Sequence, residues 1–172
     1  MTLAVAWSVS SGIARLVEPW AHLYADSKTV ATIVTFGHVA SLLMAGGFAV
    51  AADRATLRAL RLAAADRGRH LEELASVHRF VVGGLGLSVI TGALLFASDV
   101  ETFLGSWIFW LKMALICVLL ANGYLMTRAE GALRADAGEA APAWARLRRS
   151  ALLSVGLWYT ITLAGVALVN VA

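Results

Sequence analysis

The chain has 172 residues, 60% of them hydrophobic and 15% charged, with a formal net charge of +3. A mean hydropathy of +0.77 exceeds what a soluble globular domain shows, where apolar content is nearer half. The few charges are unevenly spread, so the net positive balance reads as loop charge at a membrane surface and not as a nucleic-acid footprint.

A single cysteine, Cys117, cannot close an intrachain disulfide, and no CxxC, CxxCH, Walker A, HExxH or GxSxG pattern occurs. Soluble-enzyme chemistry, dithiol redox work and c-type haem attachment therefore have no foothold in the sequence.

In chain order, the first segment is residues 1–28. Leu3, Trp7, Ile13, Leu16, Val17, Trp20 and Leu23 recur at roughly helical spacing. A signal peptide needs a basic start and a longer apolar run, and neither precedes Arg15. With Trp7, Trp20 and Tyr24 as aromatics that favour the headgroup region, the segment is expected to be an amphipathic helix lying on the membrane surface. Pro19 is expected to break or kink it.

Residues 29–172 form the second unit, a four-helix domain. Spans are expected at about residues 29–52, 78–98, 104–126 and 150–171, each apolar for the twenty or so residues that cross a bilayer core of about 30 Å. The fold class is thus all-α, an integral membrane four-helix bundle with an N-terminal interfacial helix. TLRALRL continues the first span as helix and HLEELASVHRF leads helically into the second, whereas AEGALRADAGEAAPAWARLRR reads as a surface connection. Arginines crowd the loops between spans one and two and between spans three and four, while the loop between spans two and three offers only Asp99 and Glu101. The positive-inside rule then predicts an inner-membrane protein with both Arg-rich loops in the cytoplasm and both termini outside.

Small residues recur every four positions on three spans: Gly37, Ser41 and Ala45; Gly84, Ser88 and Gly92; Gly156, Thr160 and Ala164. Such rows let backbones approach closely in lipid, within the chain or between copies in an oligomer. Gly37 is also placed to leave room for a flat cofactor beside His38.

His38 is the ionisable residue deep in the first span. Counted from the outer ends, His38, Thr91, Lys112 and Thr162 each lie about seven to ten residues in, so at about 1.5 Å per residue they share one layer. Met113 follows Lys112 on a face turned by about 100°. Four roles are open to His38. It can be a neutral imidazole satisfied by Ser41, Thr35 or a neighbouring helix, an axial ligand of a b-type haem, a proton or ion relay with Lys112, or a copper ligand with Met113 or Met44. Lys112 can snorkel toward Asp99 or Glu101, or hold a haem propionate or another buried anion. Trp107, Phe109 and Trp110 read as interface belt and core. His78 opens the second span at the opposite end, level with Asp53, Arg79 and Asn122, too far for shared haem ligation with His38 in one chain. His22 and His70 fall in surface segments.

FGHVASLLMAGGFAVAADRATLRALRL resembles the first-helix pattern of the copper-resistance D (CopD) superfamily, with a His, small and apolar residues, a Gly pair and an Asp-Arg run. HRFVVGGLGLSVITGALLFASDVETFLGSWIFWLKMALICVLLANG is similar to the next two helices of the same domains, in its Thr-Gly-x-Leu-Leu-Phe and Phe-x-x-Lys elements. The resemblance covers about residues 17–128 and implies a four-helix inner-membrane protein tied to copper handling or, by architecture, to b-type cytochromes. It carries over to His38, Thr91, Gly92 and Lys112. The chain departs from a dihaem cytochrome in lacking matched histidines on facing helices, and from a copper importer in lacking Met-rich or His-rich outer loops.

The expected function is therefore a membrane electron-transfer or redox-accessory subunit, with haem b as cofactor, held by His38 with Lys112, Gly37 and Thr91 around it. A small transporter or copper-handling protein using His38 and Met113, or a cofactor-free structural subunit of a larger membrane complex, are the alternatives.

Overall fold

The computed structural model describes residues 2–60, 64–135 and 141–171. Among them there are six helices: α1 (Thr2–Asp26), α2 (Lys28–Ala59), α3 (Ala64–Ser98), α4 (Val100–Gly105), α5 (Trp107–Ala135) and α6 (Ala141–Val171). Four are long and apolar enough to cross a membrane, within α2, α3, α5 and α6, and the protein is an all-helical, multi-pass membrane bundle. Large apolar side chains such as Phe36, Leu43, Val89, Tyr159 and Val169 point outward, as lipid-facing positions should.

α1 runs unbroken through Pro19, so the expected break is absent. Proline removes one backbone donor, and the carbonyl this frees, on Arg15, lies on an exposed turn where it need not go unsatisfied. Trp20 fixes the helix to the bundle by donating from Nε1 to the Leu94 carbonyl of α3 at 2.8 Å. Tyr24 and Thr35 of α2 share a hydroxyl hydrogen bond of 3.2 Å. Ser27 ends α1 and caps α2, its side chain accepting from the Val30 N–H. The side chains of Leu3, Trp7 and Ile13 lie outside the described residues.

The helices overrun the expected spans. α2 continues to Ala59 and α3 begins at Ala64, as the helical extensions of the first loop predict. The third span does not start at Leu104. Asp99 caps the short α4 by accepting from the Thr102 N–H at 3.2 Å, and the chain turns at the extended Ser106 before α5. Beyond Met126, α5 runs on to Ala135, and Pro142 sits in the first turn of α6, where a missing N–H costs nothing. Gly131 and Pro142, which suggest a surface connection, thus belong to helices, while residues 136–140 lie outside the described ones.

In the bundle α2 packs against α3 on one side and α6 on the other, α6 packs against α5, and α3 and α5 barely meet. Two of the three small-residue rows make the α2–α3 seam. A Cβ on Gly37 would stand 3.4 Å from the Thr91 methyl, and one on Gly84 only 3.0 Å from Ala45 Cβ and 3.1 Å from its backbone nitrogen. Ser41, Ala45 and Ser88 are buried between them. The α6 row is different: Gly156 and Thr160 face outward, and Leu157, Trp158, Ile161, Ala164 and Leu168 fill the inner face. The counterpart of Trp158 is Gly46 on α2, where a Cβ would meet the indole at 3.0 Å.

The seam predicts an asymmetric response to bulk. Gly84→Leu should destabilise the detergent-solubilised protein by about 1–3 kcal/mol through overpacking. Gly83→Leu, at a position with nothing within 4 Å, should stay within about 0.5 kcal/mol of the parent. Thermal or SDS-titrated unfolding of the two variants measures the difference.

Candidate functional site

Polar side chains gather in two layers, one at each end of the bundle. The first holds His38. Its Nδ1 lies 3.1 Å from Thr91 Oγ1 on α3, and the Ser88 carbonyl backs the same ring. The Thr91 hydroxyl has one proton and directs it at its own helix, to Leu87 O at 2.8 Å and Ser88 O at 3.2 Å. Toward the imidazole it can therefore only accept. That assigns the proton of the neutral ring to Nδ1 and the lone pair to Nε2. Gly92 makes the place for the ring, because a Cβ there would be 3.2 Å from His38 Cε1. The room left by small residues is taken by the imidazole itself, and Gly37 faces Thr91.

Lys112 enters the same layer from α5. Its half-buried side chain runs inward onto α6, so that a Cβ on Gly165 would lie 3.4 Å from Nζ. His38 lies within electrostatic reach of the ammonium. The snorkelling alternative is not what the fold shows: Asp99 caps α4, Glu101 is exposed, and among the described residues no carboxylate comes within ion-pair distance of Lys112. Ser41 donates to the His38 carbonyl and not to its ring, at 2.9 Å. Thr162 spends its hydroxyl on Trp158 O and takes no part. Met113 is half-buried on α5. Met44 packs its terminal methyl toward Gly84, eight residues or about 12 Å along α3 from the glycine that seats the imidazole, so His38 and Met44 do not share an ion.

Aromatic residues close this end. Phe96, Phe103 and Phe109 form a cluster with centroids 5.5–6.1 Å apart, linking α3, α4 and α5. Trp107 is 71% exposed and Trp110 donates to Leu104 O at 3.1 Å, as belt residues do.

The second layer lies at the Arg-rich end and draws on all four long helices. Asp53 of α2 is 2% exposed, accepts a hydrogen bond from Ser154 of α6, and has Glu130 and His78 as its ionisable neighbours. Glu130 of α5 is equally buried, with Oε2 3.8 Å from His78 Nδ1 and 3.6 Å from Arg134. His78 donates from Nδ1 to Leu74 O at 3.0 Å. Asn122, also buried, donates to Ser150 O across the α5–α6 contact at 2.9 Å. Level counting places His78 beside Asp53 and Asn122, and the fold brings Asp53 to it. Glu130 and Ser154 were missed. The signal for Glu130 is present in the buried stripe Met126, Ala129, Leu133, which continues the α5 face past the point where the span seems to end.

His22 is exposed and 3.8 Å from Glu18, an ordinary surface pair, and the His70 side chain lies outside the described residues. Two open grooves of about 460–470 Å³ run along the α2–α6 contact; His38 lines neither. Among the described residues no three His, Cys, Asp or Glu side chains converge as a metal site.

The Asn122 bond is a simple test of how the layers hold the helices. Asn122→Ala should cost about 0.6 kcal/mol, the average for interhelical hydrogen bonds in membranes, and no more than about 1.7 kcal/mol, and should leave the visible absorption of the protein unchanged.

Comparison of the chain with protein-family models, with curated proteins and with solved structures gave no match.

Proposed function

We propose that this chain is a membrane-embedded electron-transfer or redox-accessory subunit, with His38 as an axial ligand of a b-type haem. The observation that carries this reading is the contact of Thr91 with the imidazole Nδ1. Thr91 pins Nδ1 as the donor, which orients the ring and leaves the Nε2 lone pair to bind iron, the usual second-shell arrangement of a ligating histidine. His38 would hold the group through Nε2, and Met113 of the same layer, a water or a second copy would supply a further ligand.

A bound haem would supply one-electron chemistry. The protein's own part is to hold the ring with Thr91 and Gly92, to place the Lys112 ammonium near a propionate, and to keep water out with the aromatic cap. The Arg-rich end lies in the cytoplasm of a bacterial-type inner membrane and both termini lie outside, following the positive-inside rule. The subunit works in the bilayer as a homo-oligomer or within a larger redox assembly, and the CopD-like pattern of its first three spans agrees with such a setting.

A second reading has its own support. An ammonium packed inward within reach of an imidazole is also what a proton or ion relay needs, and a small non-redox transporter would use the same pair. Copper held by His38 and Met113 is a third use of that layer.

The absorption spectrum of the detergent-purified protein separates these. Haem ligation predicts a Soret band that disappears in His38→Ala and that Thr91→Val retains with about 10–100-fold weaker haem binding, the usual cost of removing a ligand's orienting partner. Colourless protein of native helicity, prepared with haem supplied, overturns the haem reading. Stoichiometric copper would select the metal-handling alternative, and His38-dependent proton leak in proteoliposomes the relay.

A further inference from the structure

The layer at the Arg-rich end has no part in ligation at His38, and its chemistry is that of a site. Asp53 and Glu130 come from different helices, are each 2% exposed, and each carry one oxygen without a partner: Oδ2 on Asp53 and Oε1 on Glu130. Their other oxygens have company. Ser154 donates to Asp53, while His78 and Arg134 stand within 3.8 Å of Glu130 Oε2. An unpaired carboxylate oxygen buried in a membrane bundle is costly, and two in one layer repel each other as well.

We infer that Asp53 and Glu130 together form a proton-binding site that holds one exchangeable proton between them. A proton on either carboxyl relieves the repulsion between the two, so one proton serves the pair. The groups facing the pair are His78 from α3 and Arg134 from α5. α6 presents the uncharged Ser154, and the arginines nearest on α2, Arg54 and Arg58, are exposed.

His78 is the way in. Its side chain is 32% exposed at the Arg-rich end of the bundle while standing next to the nearly inaccessible Glu130. With Nδ1–H committed to Leu74 O, Nε2 is the ring atom left to exchange hydrogen bonds with the outside. A proton from the Arg-rich side reaches the pair past this ring. The balance is one proton taken from solution and one carboxylate neutralised, with no other reactant.

Infrared difference spectroscopy of the purified full chain in nanodiscs, taken as a function of pH, reads this directly. The expected result is one protonated-carboxyl C=O band, equivalent to about one proton per chain, that shifts in heavy water and is lost in both Asp53→Asn and Glu130→Gln. His78→Gln should keep the band and slow its exchange with solvent deuterium. Carboxyl-¹³C labelling of aspartate or glutamate in the unaltered chain assigns the band even if a variant fails to fold. Absence of any such band while the fold is native overturns the proposal. So does a band that labelling assigns to neither residue type or that both variants retain, and so does one abolished by sodium or potassium chloride at fixed pH, which would mark a cation site. None of these outcomes depends on haem at His38, so the inference stands or falls apart from that reading.

Discussion

The close approach of α2 to α3 is the constraint on which the rest of the bundle depends. In lipid there is little hydrophobic drive to bring two apolar helices together, and backbone polar groups are already satisfied within each helix, so van der Waals contact and interhelical hydrogen bonds decide the pairing. Gly37, Ser41 and Ala45 on one side and Gly84, Ser88 and Gly92 on the other supply that contact. The register follows: Gly37 beside Thr91 and Ala45 beside Gly84 mean an antiparallel pair whose facing positions sum to nearly the same number. Once that register is set, His38 has to meet Thr91 and Gly92. The polar contact at the heart of the proposed function is a consequence of where the small residues fall.

The same seam uses up the surfaces that would otherwise recommend themselves for self-association. Small-residue rows in a membrane sequence are equally compatible with contacts inside a chain and between chains, and here those of α2 and α3 are spent inside. α6 shows the converse. Its Gly156 and Thr160 keep the four-residue spacing yet face outward, because Leu157, Trp158 and Ile161 occupy the inner azimuth and Gly46 receives the indole.

That contrast explains what could be read from the residues alone. Hydropathy over some twenty positions fixes the number of spans, and counting at about 1.5 Å per residue is good enough to put His38, Thr91 and Lys112 in one layer and His78 with Asp53 in another. Periodicity alone does not say which side of a helix faces its neighbours when both sides are apolar, which is how the α6 row misleads. Local punctuation is similarly ambiguous. Gly131 and Pro142 look like loop markers around Glu130, but Gly131 is tolerated within α5 and Pro142 opens α6, so a carboxylate that seems to sit in a surface connection is in fact enclosed. The destination of Lys112 is not legible from its neighbours in sequence. Asp99 and Glu101 are near it in sequence, yet Asp99 is tied to capping α4, and the glycine that receives the ammonium lies on α6.

The two polar layers are separated by a slab of Ala45, Leu119, Leu157, Trp158 and Ile161, packed with Leu42, Leu115 and Ile116. His38 and Asp53 are fifteen residues apart on α2, about 22 Å along the helix. At an effective dielectric constant of about 20, a unit charge gained in one layer is felt in the other as about 0.8 kcal/mol, less than a factor of ten in proton affinity. Electrostatics through the slab would therefore let an electron arriving near His38 bias a proton held by Asp53 and Glu130 but not drive it. Strong coupling would need a rearrangement, and α2 is the helix that could transmit one, since it carries His38 and Asp53 and packs against both α3 and α6. The tightness of its glycine and alanine contacts argues against large sliding. The bundle is better suited to two weakly linked sites than to one continuous path across the membrane.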